Sequence, residues 1–265
     1  MDAASRHDKI LNLLNSQERL EVEDLAARFG VSLQTIRTDL RDLSARGALS
    51  RVHGGAVRVS SAANRAYADR RKHNANAKQA MAALLAEVIP DNCSLAINIG
   101  TSTEQAARAL ENHRGLTILS NNINIINLMM GGETKELILV GGTVRQSDGA
   151  IIGEDAVEFI SRYKVDYAII GASALDEDGA VLDHDAREVS VARAILKNAR
   201  TKILLCDGSK FARSAPVRIC DLSDLDVVIT NQPPPAPFLE AAKAASTRIL
   251  CAEAGSSKNE SRENG

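Results

Sequence analysis

A chain of 265 residues is too long for one small module and points to two domains, at roughly 100–200 residues each. Its 45% hydrophobic and 25% charged residues are ordinary for a soluble globular protein, and no apolar run approaches the ~18 residues of a membrane span. The net charge of −2 argues against a uniformly basic chain but hides an asymmetry: residues 1–90 carry 14 Lys+Arg against 10 Asp+Glu, and residues 91–265 carry 18 against 24. A weakly basic arm on an acidic body fits a DNA-binding domain joined to a domain with another task.

The first elements follow from helical spacing. Ile10, Leu13 and Leu14 share a face within 6–16, and after a break at Glu18 to Glu21 so do Val22, Leu25, Ala26 and Phe29. Gly30 ends that helix, and Ser32 is a suitable N-cap for the next, which turns Ile36, Leu40 and Leu43 inward and stops at Gly47. Two short extended pieces, Leu49–Val52 and Ala56–Val59, flank Gly54-Gly55, a hairpin signal. Residues 60–74 read as a polar linker, and 75–89 as a helix rich in small residues.

Beyond residue 90, short β-branched runs alternate with helices. Strands are expected at Leu95–Ile99, Leu116–Leu119, Leu137–Val140, Tyr167–Ile170, Lys202–Cys206, Asp226–Thr230 and Arg248–Cys251. Helices are expected at 103–112, 123–130, 154–160, 185–198 and 237–245. Such alternation predicts a doubly wound, mostly parallel α/β sheet. The expected layout is a winged helix-turn-helix over 1–60, linker and linker helix over 61–90, a sensor domain over 91–252, and a disordered tail over 253–265. Aromatics are 3% and Trp is absent, so Ala, Val, Ile and Leu must build the core. Cys93, Cys206, Cys220 and Cys251 stand apart with no metal-ligand spacing, so neither metal nor cofactor is expected. The N-terminus lacks a signal-peptide stretch, which points to the cytoplasm.

Helix, glycine turn, helix is the arrangement that lays a second helix in the major groove. The outward residues of 32–46 are then Gln34, Thr35, Arg37, Thr38 and Arg41, with Ser32 at the cap. Arg reads guanine and Gln reads adenine by paired hydrogen bonds, while Thr suits phosphate or a thymine methyl. Arg51, His53 and Arg58 on the hairpin would face phosphates, and Gly54 would let the backbone approach.

Val31-Ser-Leu-Gln-Thr-Ile-Arg-Thr-Asp-Leu-Arg-Asp-Leu43, followed by Arg51-Val-His-Gly-Gly-Ala56, resembles the DeoR-type repressors. The resemblance runs to about residue 252 through Ile99-Gly-Thr-Ser-Thr103, Leu139-Val-Gly-Gly-Thr-Val-Arg145, Ile151-Ile-Gly-Glu154 and Asp207-Gly-Ser-Lys-Phe211. Asn98-Ile-Gly-Thr101, Phe159-Ile-Ser-Arg-Tyr-Lys-Val-Asp166 and Asn231-Gln-Pro-Pro-Pro235 resemble the glycerol-3-phosphate branch in particular. The resemblance implies a homodimeric or homotetrameric repressor of a carbohydrate or polyol operon. Its second domain is expected to be similar to sugar-phosphate isomerases and to bind a phosphorylated effector such as glycerol 3-phosphate. That branch carries aromatic residues where His184 and Ala186 stand here, a departure that bears on the effector and not on DNA.

The residues themselves point to an anion site. A strand running into Gly100, Thr101, Ser102 and Thr103 at a helix start offers backbone N–H groups and the positive end of the dipole. Asn98, Asn121, Gly141, Gly142, Arg145 and Lys210 lie at or just beyond strand ends, where open α/β sheets bind ligands. Asp183 and Glu188 would meet effector hydroxyls. The helix over 75–89, placed between the domains, is the expected transmitter to the DNA-binding arm. Two alternatives stay open: an isomerase or deaminase using Asp183, His184, Asp185, Glu188 and Lys210 as acids and bases, and a regulator answering a different sugar phosphate or acting as an activator.

Overall fold

Ile10, Leu14, Leu25, Ile36, Leu40 and Leu43 close the core of the first of two units into which the chain divides, one comprising the chain to Asp69 with Gln146–Asp148 and the other the rest from Arg70. The computed structural model describes residues 3–16, 19–45, 49–52, 54–57, 67–131 and 136–252. The expected tail over 253–265 lies outside the described residues, as do the end of the expected piece Ala56–Val59 and the part of the expected linker over 60–66.

The first unit contains α1 (Ala3–Ser16), β1 (Arg19–Glu21), α2 (Val22–Phe29), α3 (Leu33–Ala45), β2 (Ser50–Val52) and β3 (Gly55–Val57). Gly30 takes the left-handed conformation (φ +64°) and donates its N–H to the Ala26 carbonyl, closing α2. Thr35 N donates to Ser32 Oγ at 3.1 Å, capping α3. The sheet order is β1-β3-β2, all antiparallel. Residues 19–21, expected as a break, are a strand because Leu20 turns into the core and pairs with Ala56.

The second unit continues from the helical stretch 67–72 (α4) into α5 (Ala75–Val88). A seven-stranded parallel sheet follows in the order β15-β14-β12-β9-β4-β5-β6. These strands are β4 (Ser94–Ile97), β5 (Thr117–Ser120), β6 (Glu136–Leu139), β9 (Val165–Ile170), β12 (Ala199–Leu205), β14 (Val227–Thr230) and β15 (Arg248–Cys251), one for each expected run. The helices α5, α6 (Thr101–Ala109) and α7 (Ile123–Met129) share one apolar cluster with the sheet. The helices α8 (Glu154–Ser161), α9 (Ala186–Lys197) and α10 (Ala236–Ala244) share the other. The sheet is therefore doubly wound, as expected.

Two features modify the expected layout. Met81 and Leu85 of α5 are buried in the sheet's core, so α5 is integral to the second unit instead of a free linker helix. A small antiparallel sheet of β10 (Ala174–Leu175), β11 (Ala180–Asp183) and β13 (Val217–Asp221), and a hairpin of β7 (Val144–Arg145) and β8 (Ala150–Ile151), were not expected.

Candidate functional site

In the first unit, α3 presents two opposed faces. Ile36, Leu40 and Leu43 are buried, whereas Gln34, Arg37 and Arg41 are exposed and Thr35 and Thr38 half-buried. Spaced three and four apart, Gln34, Arg37, Thr38 and Arg41 form one polar stripe. Arg41 Nε lies 3.6 Å from the half-buried Asp42, and such a surface pair is weak. Leu33 at the start of the same helix is 42% exposed, an apolar side chain that polarity-based reasoning passed over.

The β2–β3 hairpin completes this surface. A cleft of about 270 Å³ is lined by Leu33, Arg37 and Leu40 of α3, Val22 and Glu23 of α2, and Arg51, Gly54 and Gly55 of the hairpin. Gly54 has φ +78° and its carbonyl accepts from Val22 N at 2.8 Å, which ties the hairpin to α2. A Cβ on Gly55 would lie 2.0 Å from the Leu20 carbonyl oxygen, so only glycine permits β1 and β3 to pair there. Gly55→Ala is accordingly expected to destabilise the first unit by about 1–3 kcal/mol. Faster hydrogen exchange at the β3 amides would register this, and unchanged exchange would refute it. His53 and Arg58 lie outside the described residues.

Beneath the exposed stripe is a feature that sequence reasoning missed. Asp39, on α3, is 3% exposed and accepts from Arg6 Nη2 at 2.9 Å and lies 3.0 Å from His7 Nε2, both on α1. Burial alone would raise the Asp39 carboxyl pKa; the bonds and charge from Arg6 and His7 outweigh it and hold it below the ordinary range.

In the second unit the strand order reverses between β4 and β9, since β5 and β6 follow on one side and β12, β14 and β15 on the other. Ligands of open α/β sheets bind in the crevice outside the carboxyl ends at such a point. Beyond β4 lie Asn98 and Gly100, whose φ of +144° feeds the chain into α6. The first N–H groups of α6, at Thr101 to Thr103, have no intrahelical acceptor and point the dipole's positive end at the crevice. Thr103 Oγ1 donates to the Gly100 carbonyl at 2.8 Å and is fully buried, so its role is structural. Beyond β9 lies Ser173, whose hydroxyl donates to Asp183 Oδ1 at 3.0 Å.

Beyond β12, Asp207 is buried and accepts from Asn74 Nδ2 at 2.8 Å and from Ser209 N at 3.0 Å. Burial opposes ionisation of its carboxyl, but those bonds and the charge of Lys210 keep the pKa lowered. Lys78 of α5, absent from the expected site, is buried among Asp207, Lys210, Arg70 and Glu104. Desolvation, with repulsion from Lys210 and Arg70, pulls its pKa down to about 8 against the attraction of Asp207 and Glu104. Asn98 Oδ1 and Asn121 Oδ1 are buried acceptors with no hydrogen-bond partner among the described residues, and buried acceptors of this kind ask for a donor.

The remaining expected residues separate from this cluster. Arg145, expected as a phosphate cation, lies 3.4 Å from Asp185 and 2.9 Å from Glu188, so its charge is met and Glu188 is turned to it. Gly141 and Gly142 follow the edge strand β6, where added Cβ atoms would face Phe159 and Ile151. Asp183 takes the His184 N–H at 2.7 Å as well as the Ser173 hydroxyl.

Both units match known families. The DeoR-like helix-turn-helix domain matches residues 6–62, and the DeoR C terminal sensor domain matches residues 73–232. The sensor match begins just before α5, in keeping with its burial. The Glycerol-3-phosphate regulon repressor of Escherichia coli is 41% identical over 91% of this chain and 95% of its own length. Its namesake in Haemophilus influenzae is 42% identical over 88% and 91%. The HTH-type transcriptional repressor CsqR of Escherichia coli is 35% identical over 87% and 88%. Ribose 5 phosphate isomerase A from Neisseria gonorrhoeae overlaps about half of each chain at 14% identity with a TM-score of 0.38, too slight to carry a functional reading. Matched in order by both domain families, and by full-length relatives at up to 42% identity, the chain belongs to the DeoR family of transcriptional regulators.

Proposed function

We propose that this protein is a cytoplasmic, homo-oligomeric repressor that holds an operator with α3 and the β2–β3 hairpin and lets go when a phosphorylated polyol binds the second unit. The observation that carries the DNA half is the exposed stripe Gln34, Arg37, Thr38 and Arg41 opposite the buried Ile36, Leu40 and Leu43. Gln34 and Arg37 are assigned to base edges, Ser32, Thr35, Thr38 and Arg41 to phosphates or thymine methyls, and Arg51 and Gly54 to the backbone. Leu33 adds an apolar contact for a thymine methyl. Arg37→Ala is expected to weaken operator binding by about 1–3 kcal/mol and to relax base preference. Unchanged binding to selected and random DNA alike would contradict the assignment.

For the effector, the N-terminus of α6 with Thr101 and Ser102 takes the phosphate, while Asn98 and Asn121 offer acceptors to hydroxyls. Lys210 supplies positive charge nearby. Glycerol 3-phosphate is the effector favoured by the names of the relatives that are 41% and 42% identical over most of this chain. A regulator is favoured over an isomerase because the carboxylates that would serve as acid or base are already engaged. Asp185 is held below the usual carboxylate range by its hydrogen bond to Arg187, and Glu188 is paired with Arg145. General acid–base work needs a pKa near the working pH.

A gel shift at fixed salt tests both halves at once, using an operator fragment selected from random-sequence DNA and a panel of polyol and sugar phosphates. Release by glycerol 3-phosphate, with no turnover of any compound, is the expected result. Tight binding that no phosphate relieves would remove the effector reading, and failure to select any DNA would remove the repressor reading.

A further inference from the structure

Resting on the effector reading above, we propose that the Arg70 carbonyl and the effector's phosphate compete for the same two donors, Lys78 Nζ and Thr101 Oγ1. Effector entry would then untie the segment that leads to the first unit. Lys78 Nζ donates to the Arg70 carbonyl, and Thr101 Oγ1 reaches the same oxygen at 3.5 Å. Arg70 stands in the last turn of the helical stretch 67–72. Its carbonyl lies at the C-terminal end of that helix, where the negative end of the dipole sits. An ammonium and a hydroxyl capping it satisfy that end.

The same two donors stand where an anion at the N-terminus of α6 would sit. An ammonium has three protons to donate, and that of Lys78, 4% exposed, gives one to the Arg70 carbonyl. A phosphate oxygen is a stronger acceptor for an ammonium than a peptide carbonyl, since it carries full negative charge. The tie has neighbours that would feel its loss: Arg71 Nε lies 3.4 Å from Glu104 Oε2 in the first turn of α6, and Asn74 is bonded to Asp207. Arg70 directly follows Asp69, where the first unit ends, so loosening Arg70 loosens the chain at the junction. The transmitter is thus the 67–74 segment, and α5 is the fixed body it is tied to.

The test uses the full-length chain carrying Lys78→Met, which keeps an apolar stem and removes the donor, and separately Thr101→Val. Operator affinity is measured with no phosphate compound present. The expected results are about 5–150-fold weaker binding for Lys78→Met, a smaller drop for Thr101→Val, and faster hydrogen exchange over 67–74 in both. In the unaltered protein, millimolar glycerol 3-phosphate should speed exchange over 67–74 and slow it over 101–104. Normal operator affinity in both variants, or unaltered exchange over 67–74 while glycerol 3-phosphate still releases DNA, would overturn the competition. If Lys78→Met does not fold, Thr101→Val and the exchange experiment decide. If the unaltered protein answers to no phosphate, the effector reading fails and the competition with it, whereas weak effector-free binding by the variants would still support the tie.

Discussion

Replacing Asp39 with alanine is expected to cost the first unit about 3–5 kcal/mol, because it strands the buried Arg6 guanidinium without its anion. Stability of the whole domain is of similar size, so the variant should lose operator binding at physiological temperature through unfolding of α3. The double replacement Arg6→Met with Asp39→Leu should recover most of that loss, since apolar side chains of like volume often match or exceed a buried ion pair. Hydrogen exchange at the α1 and α3 amides in urea separates this unit from the second, and a change below about 1 kcal/mol for Asp39→Ala would sink the argument.

Acidification gives an independent check. The folded-state pKa of Asp39 is lowered, so its contribution is complete above the unfolded value of about 3.9 and is lost as pH falls through the folded one. The first unit should lose stability steeply below about pH 4, and the double variant should lose less.

Much of the fold was legible because its signals are local. Gly30 and Ser32 flank a turn of only a few residues, and the seven β-branched runs of the large sheet carry their burial in their own composition. Strand β1 was not legible: it has one inward residue, Leu20, and its partner Ala56 is far along the chain. The pairing of Arg145 with Asp185 and Glu188, 40 and 43 residues away, has no local signature either. Asp39 and Lys78 are different, because their burial was readable. Asp39 lies three residues after Ile36 and four before Leu43, and Lys78 lies three before Met81 and seven before Leu85, both on buried stripes. A charge at a core position of an amphipathic helix implies a buried partner, which for Asp39 is Arg6 and for Lys78 the Arg70 carbonyl.

The same reasoning makes Asp207→Ala the second large effect. Asp207 lies within electrostatic reach of both Lys78 and Lys210, and it also anchors Asn74 and the Ser209 amide. Its removal should cost the second unit about 1–3 kcal/mol, by leaving Asn74 and the Ser209 amide without their acceptor and the buried Lys78 with less opposing charge. The pH dependence separates lost charge from lost packing. Lys78 has its folded-state pKa lowered to about 8 from 10.5, so the unfolded chain binds more protons between those values. Lys78 therefore lowers stability fully below about pH 8, and the penalty is relieved as pH rises toward 10.5. Asp207 raises the pKa of Lys78, so in Asp207→Ala the relief should begin at lower pH, with a larger gain between pH 7 and 9 than in the unaltered protein. Asp207→Asn keeps an acceptor for Asn74 and Ser209 and should show the same pH shift with a smaller overall loss. Urea midpoints of the second unit across that range provide the measurement, and parallel curves for all three proteins would show that Asp207 acts through packing and not through its charge.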